Sequence, residues 1–113
     1  MTHSSPIPLR QTPQFQQLLE DLGETMLVEA LSAYLEELDE MSDALSRHRD
    51  DLNYLAKQAH SLKTSSRMIG ALALAETALQ LETACKQGRT QALDALQQSL
   101  HALIQQTRRD LLA

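Results

Sequence analysis

An all-α fold, an antiparallel up-and-down four-helix bundle with a short additional N-terminal helix, is predicted by three features of this 113-residue sequence. All three prolines, Pro6, Pro8 and Pro13, fall at the N-terminal end, so nothing from Gln14 onward forbids long helices. Hydrophobic residues make up 42 % of the chain, yet aromatics contribute only 3 % and Trp is absent. The core must therefore be built from Leu, Ala, Met and Ile, which suits helices packed closely on helices better than a β-sandwich. Finally, the apolar residues recur at spacings of three and four, the period of a helix face.

Residues 1–11 mix Ser, Pro and polar residues and read as a flexible N-terminal tail, leaving 12–113 as one domain. Thr12 is placed to cap a first helix, with Pro13 at the first helical position where its missing N–H costs nothing. Phe15, Leu18, Leu19 and Leu22 form its apolar stripe and Gly23 its stop. The second helix runs from about Glu24 to Arg47 on a heptad-like seam of Leu27, Leu31, Tyr34, Leu38, Met41 and Leu45, while Glu29, Glu36, Glu37, Glu40 and Asp43 keep the opposite face wet. Asp50 or Asp51 caps the third, about Asp51 to Ile69, whose stripe is Leu52, Leu55, Ala59, Leu62, Ser66 and Ile69. Gly70 interrupts the pattern, as a tight turn or close packing point requires. The fourth helix, about Ala71 to Gln87, buries Leu74, Ala78, Leu81 and Cys85 and ends at the Lys86 and Gly88 signal. Thr90 caps the fifth, with Leu93, Leu96, Leu100, Leu103, Thr107 and Leu111 as its stripe. Connectors this short force neighbouring helices antiparallel.

The net charge of −5 makes the chain a poor candidate for binding nucleic acid or an anionic membrane by charge. One cysteine excludes an internal disulfide, and the apolar helical setting of Cys85 reads as a buried structural thiol. No stretch approaches the ~20 apolar residues of a membrane span, and the N-terminus lacks the apolar core of a signal peptide. A cytoplasmic monomer is expected, and a start at Met1 favours a stand-alone protein. His3, His48, His60 and His101 share no metal-ligand spacing, Cys85 has no partner in a metal motif, and no glycine-flanked serine suggests nucleophilic hydrolysis.

In helical projection His60 falls roughly 130° from the inward direction set by Leu55, Ala59, Leu62, Ser66 and Ile69, on the solvent side of its helix or at its edge. Lys63, Thr64 and Arg67 follow at three, four and seven residues and share its face, and Lys57 precedes it by one turn. From Leu52 to Ala75 the chain contains no acidic residue, and Lys57, Lys63 and Arg67 lie inside that window. Two readings fit: ordinary solvated cations, or a positive patch around an exposed imidazole that suits a phosphoryl group.

The run Ala59-His60-Ser61-Leu62-Lys63-Thr64-Ser65-Ser66, followed by Gly70-Ala71, resembles the signature of the histidine-containing phosphotransfer (HPt) domain family. That signature is a histidine, a lysine three residues on, small residues after it and a glycine ten residues on. The resemblance covers the chain from the second helix to the end and extends to small stand-alone phosphorelay proteins such as that of vibrio quorum sensing. It implies that His60 is the phosphoacceptor, that Lys63 supports the phosphoryl group, and that Gly70 permits close packing at the helix end. Two positions depart from the family pattern. Thr64 stands where glycine is common, which narrows the approach of a partner, and Glu82 falls where a glutamine often holds the imidazole from its other nitrogen. As a carboxylate, Glu82 would accept that N–H and raise imidazole basicity.

The resemblance further implies a phosphohistidine carrier of a multistep two-component phosphorelay, taking its phosphoryl group from a receiver-domain aspartate and passing it to another response regulator. The partners implied are response-regulator receiver domains and a hybrid sensor histidine kinase. No cofactor is bound by this chain, and Mg²⁺ is expected on the partner receiver. With no glycine-rich phosphate loop or Walker motif, ATP-dependent kinase activity is not expected. A docking face of Lys57, Thr64, Arg67 and Met68, with Gly70 at the helix end, follows from the need to surround His60. Two alternatives compete. One is a non-catalytic helical interaction module in which His60 is ordinary surface. The other is a sensor-kinase dimerisation domain, which usually carries an acidic residue after its histidine where this chain has Ser61 and would need a linked ATPase domain.

Overall fold

A computed structural model describes residues 9–112. Its helices are α1 (Pro13–Arg47), α2 (Leu52–Ile69), α3 (Leu72–Gln87) and α4 (Thr90–Leu112), preceded by a 3-10 turn at Leu9–Gln11. Each helix packs against its neighbours in sequence and α4 returns against α1, so four antiparallel helices close around one core. No described helix is long and apolar enough to cross a membrane.

Within α1, Gly23 sits at φ 75° and ψ 169°, outside helical geometry, so the helical path is two segments meeting at a glycine-permitted bend. They coincide with the expected short first helix and long second helix. Thr12 caps the first segment: its hydroxyl accepts from the Phe15 N–H at 3.2 Å and donates to the Leu9 carbonyl at 2.8 Å. Of the segment expected as a tail, residues 1–8 lie outside the described residues, while Leu9 is buried and Arg10 donates to the Leu111 carbonyl at 2.7 Å. Burial of one leucine and satisfaction of a C-terminal carbonyl of α4 order these residues.

The seam of the long segment is buried as its periodicity requires, from Leu27 through Leu45, and so are the α2 positions Leu55, Ala59, Leu62, Ser66 and Ile69. Leu52, at the start of α2, is only partly buried. Asp51 caps α2, its carboxylate accepting from the Tyr54 N–H at 3.1 Å. In α3, Leu74, Ala78, Leu81 and Cys85 are buried, and burial pushes the Cys85 thiol up. The α4 stripe differs from expectation. Gln97 and Ile104 are buried, whereas Leu96 and Leu103 only flank the core. The buried line runs Leu93, Gln97, Leu100, Ile104, Thr107, Leu111, a regular alternation of four and three. A polar Gln97 is tolerated because its amide reaches the Arg49 carbonyl.

One polar pair crosses the core. Tyr34 Oη and Ser66 Oγ share a 2.6 Å hydrogen bond between α1 and α2. Burial drives the tyrosine hydroxyl upward, against the opposing effect of that bond and with Glu37 adding to the rise, so it stays neutral.

α2 ends at Gly70, at φ 98°, and the Ala71 N–H returns to the Ser66 carbonyl at 2.9 Å to close the turn into α3. A Cβ on Gly70 would come within 2.5 Å of Thr12 Oγ1, the capping atom of α1. At Gly23 the φ is also positive, but a Cβ there meets nothing within 4 Å. Gly23→Ala therefore carries backbone strain alone, on the order of 1–3 kcal/mol in a region open essentially to glycine, whereas Gly70→Ala adds to its left-handed strain the displacement of a helix cap, about 1 kcal/mol more. Urea unfolding checks the contact: Gly70→Ala should cost about 1 kcal/mol less in a Thr12→Ala background than in the wild type, and equal losses in the two backgrounds would show that the Thr12–Gly70 contact is not tight.

Candidate functional site

The rotation of α2 about its axis is fixed by its buried face, and that rotation places His60 outward, its side chain 62 % exposed. Ala56 and Ala59 on α2 and Ala75 and Ala78 on α3 are buried, the two helices pack closely, and small side chains permit such an approach. Across that approach α3 delivers Glu82, whose side chain is only 5 % exposed.

Glu82 is the centre of the site. Its Oε2 lies 2.8 Å from His60 Nδ1 and 2.9 Å from Lys86 Nζ, and its Oε1 lies 3.0 Å from Lys63 Nζ. The Lys86 ammonium, together with Lys63 and His60, outweighs burial and holds the Glu82 carboxyl down at about 2 from an ordinary 4.5. An ionised carboxylate only accepts hydrogen bonds, so the contact with Nδ1 assigns the proton to that nitrogen. In the neutral ring Nε2 then carries the lone pair, on the side away from Glu82. Lys63 Nζ stands 3.4 Å from Nδ1, but with both groups acting as donors this is proximity and not a hydrogen bond.

The sequence-derived candidates occupy distinct places. His60, Lys63 and Glu82 come together. Lys57, Thr64, Arg67 and Met68 are exposed on α2, Met68 to 61 %. Gly70 is buried against Thr12 and Gln14, and its place ten residues along the helix from His60 puts it about 15 Å away, a helix-end packing point. Lys63 does not stand free on the His60 face as projection suggests. It leans onto α3, 14 % exposed, because a buried carboxylate attracts it there. Thr64 turns its hydroxyl to the His60 carbonyl, 3.4 Å away, one turn back.

Two features were not anticipated. Lys86, read only as a helix-end signal, belongs to the site through its i, i+4 relation to Glu82. Ser61 donates to Glu37 of α1 at 2.7 Å, so the acid-free window of the sequence is not acid-free in space. The i, i+4 spacing of Glu82 and Lys86 was visible in the sequence, whereas the α1–α2 contact was not.

The depressed Glu82 carboxyl ties stability to pH. Its contribution is complete above the ordinary value of 4.5 and is lost as pH falls toward about 2, since the unfolded chain then binds a proton more readily than the folded one. The wild-type advantage in stability over Glu82→Gln should shrink by on the order of 3 kcal/mol between about pH 5 and about pH 2. Urea titrations across that range test this, and parallel pH profiles would contradict the network.

The Hpt domain family model matches residues 15–110 of the chain. No curated protein and no solved structure matches it.

Proposed function

Because the chain belongs to the Hpt domain family, whose members carry phosphoryl groups on histidine in phosphorelays, we propose that His60 accepts a phosphoryl group from the aspartate of one receiver domain and passes it to another. The observation that carries this is the exposed imidazole with Nδ1 tied to a buried, ionised Glu82, which leaves Nε2 outward as a nucleophile.

The transfer is balanced without a solvent proton. The Nε2 lone pair attacks the phosphorus of a receiver aspartyl phosphate, and the P–O bond breaks with its electron pair returning to the aspartate carboxylate. Nδ1 keeps its proton, and the positive charge that develops on the ring lies against Glu82. In the onward step a carboxylate oxygen of the next receiver's aspartate forms the new P–O bond as the P–N bond breaks, the P–N pair returns to Nε2, and the leaving group is a neutral imidazole. Glu82 thus orients the ring and compensates charge that grows during attack. Lys63 supplies the cation for the phosphoryl oxygens, and Mg²⁺ belongs to the receiver. Lys57, Thr64, Arg67 and Met68 surround His60 as the docking face, with the hybrid sensor kinase and response regulator as sources of receivers. The domain acts as a cytoplasmic carrier and not as an ATP-dependent kinase.

Incubation with a phosphorylated receiver should place acid-labile, base-stable label on the chain, and His60→Gln should accept none while keeping native helicity. Label that persists in that variant would move the acceptor elsewhere, and a wild-type chain that takes no label would favour a plain interaction module. Arg67, exposed seven residues beyond His60, should steer acidic receivers at the rim. Arg67→Glu should slow association by about tenfold at low salt and much less at high salt. Wild-type association rates at both ionic strengths would place the docking face elsewhere.

A further inference from the structure

Lys63 faces the wrong side of the ring for the role assigned to it. Its Nζ lies beside Nδ1 and Glu82 Oε1, whereas a phosphoryl group would be bonded to Nε2 on the exposed side. To meet phosphoryl oxygens Lys63 must leave Glu82. That departure takes a cation away from a buried carboxylate, and a buried charge without compensation is strongly unfavourable.

Lys86 removes that obstacle. It lies one turn beyond Glu82 on the same helix, bonds the other carboxylate oxygen at 2.9 Å, and is 65 % exposed. When Lys63 moves, Glu82 still holds one cation and the imidazole N–H. We propose that Lys86 is a positioning residue of the phosphotransfer site, a second counter-ion that keeps Glu82 ionised and paired while Lys63 is released to the phosphoryl group. In the unphosphorylated state Lys63 is stored at Glu82. Phosphorylation adds about two negative charges at Nε2, which outcompete the single charge of Glu82 already shared with Lys86. Two cations thus serve one carboxylate at rest and are divided between carboxylate and phosphoryl group afterwards. No covalent bond changes in this exchange. A chain with only Lys63 would have to choose between holding Glu82, and so the ring, and holding the phosphoryl group.

This inference rests on His60 as phosphoacceptor, and one set of variants separates the two claims. Wild type, Lys86→Ala, Lys86→Gln, Lys86→Arg, Lys63→Ala and the double variant Lys63→Ala/Lys86→Ala are labelled from a phosphorylated receiver. Phosphohistidine lifetime and back-transfer rate are then followed, with far-UV circular dichroism as a check on folding. Lys86→Ala and Lys86→Gln should shorten the lifetime by about fivefold, the upper range of an exposed ion pair, and Lys86→Arg should restore it. Lys63→Ala should add less than about twofold when Lys86 is already absent, because both residues act through one exchange. The Lys63 Nζ resonance should shift on phosphorylation in wild type and shift less in Lys86→Gln. Label on His60 with wild-type lifetimes in Lys86→Ala and Lys86→Gln, or fully multiplicative losses in the double variant, overturns the role of Lys86 alone. Absence of label on His60 in the wild type overturns the phosphoacceptor assignment and this inference with it.

Discussion

The site depends on one buried carboxylate. Glu82 is enclosed between α2 and α3, and an unpaired carboxylate there would be untenable. Its pairing with His60, Lys63 and Lys86 answers that constraint and fixes three side chains at once. The imidazole tautomer, the inward lean of Lys63 and the outward lone pair of Nε2 all follow from where that single charge sits. Among polar groups buried in the bundle, the Tyr34–Ser66 pair binds α1 to α2, whereas Glu82 binds α2 to α3.

The geometry that brings Glu82 under His60 is set at the turn between the two helices. His60 lies ten residues before Gly70 and Glu82 twelve after it, distances of about 15 and 18 Å along antiparallel helices. A connection this tight fixes their register, so the residues meet at nearly the same level. Gly70 therefore acts on the site from a distance. Its left-handed conformation makes the turn, and its missing Cβ lets the N-terminal helix close over that end of the bundle. The close packing of α2 on α3, with small buried alanines on both helices, completes the requirement by keeping them near enough for a 2.8 Å contact.

Exposure and order are combined in His60 without a pocket to hold it. The ring projects from a helix whose inner face is fully packed, so its base is rigid while its outer edge faces solvent. Such an arrangement suits a group that must meet differently shaped partners in turn. The inner nitrogen is held by the fold, and the outer nitrogen is left facing solvent. The fold thus combines preorganisation on one side of the ring with access on the other.

Most of the architecture was legible in the sequence because helices advertise their buried faces locally. The seam from Leu27 to Leu45, the cap at Thr12, the stops at Gly23, Gly70 and Gly88, and the outward placement of His60 all follow from spacing and from residues whose conformational preferences act within one turn. The α4 stripe failed at Leu96 and Leu103 because Leu103 and Ile104 are adjacent and apolar, so either could face inward, and the face that packs on α1 and α3 carries Gln97, a polar residue that local pattern does not mark as buried. The charge pattern around His60 was the least legible. Lys63 looked free, the window from Leu52 to Ala75 looked free of acid, and Lys86 looked like a helix end. Their actual partners come from other helices or are buried by them, and electrostatic pairing depends on distance through space and on burial, neither of which is written in local order along the chain.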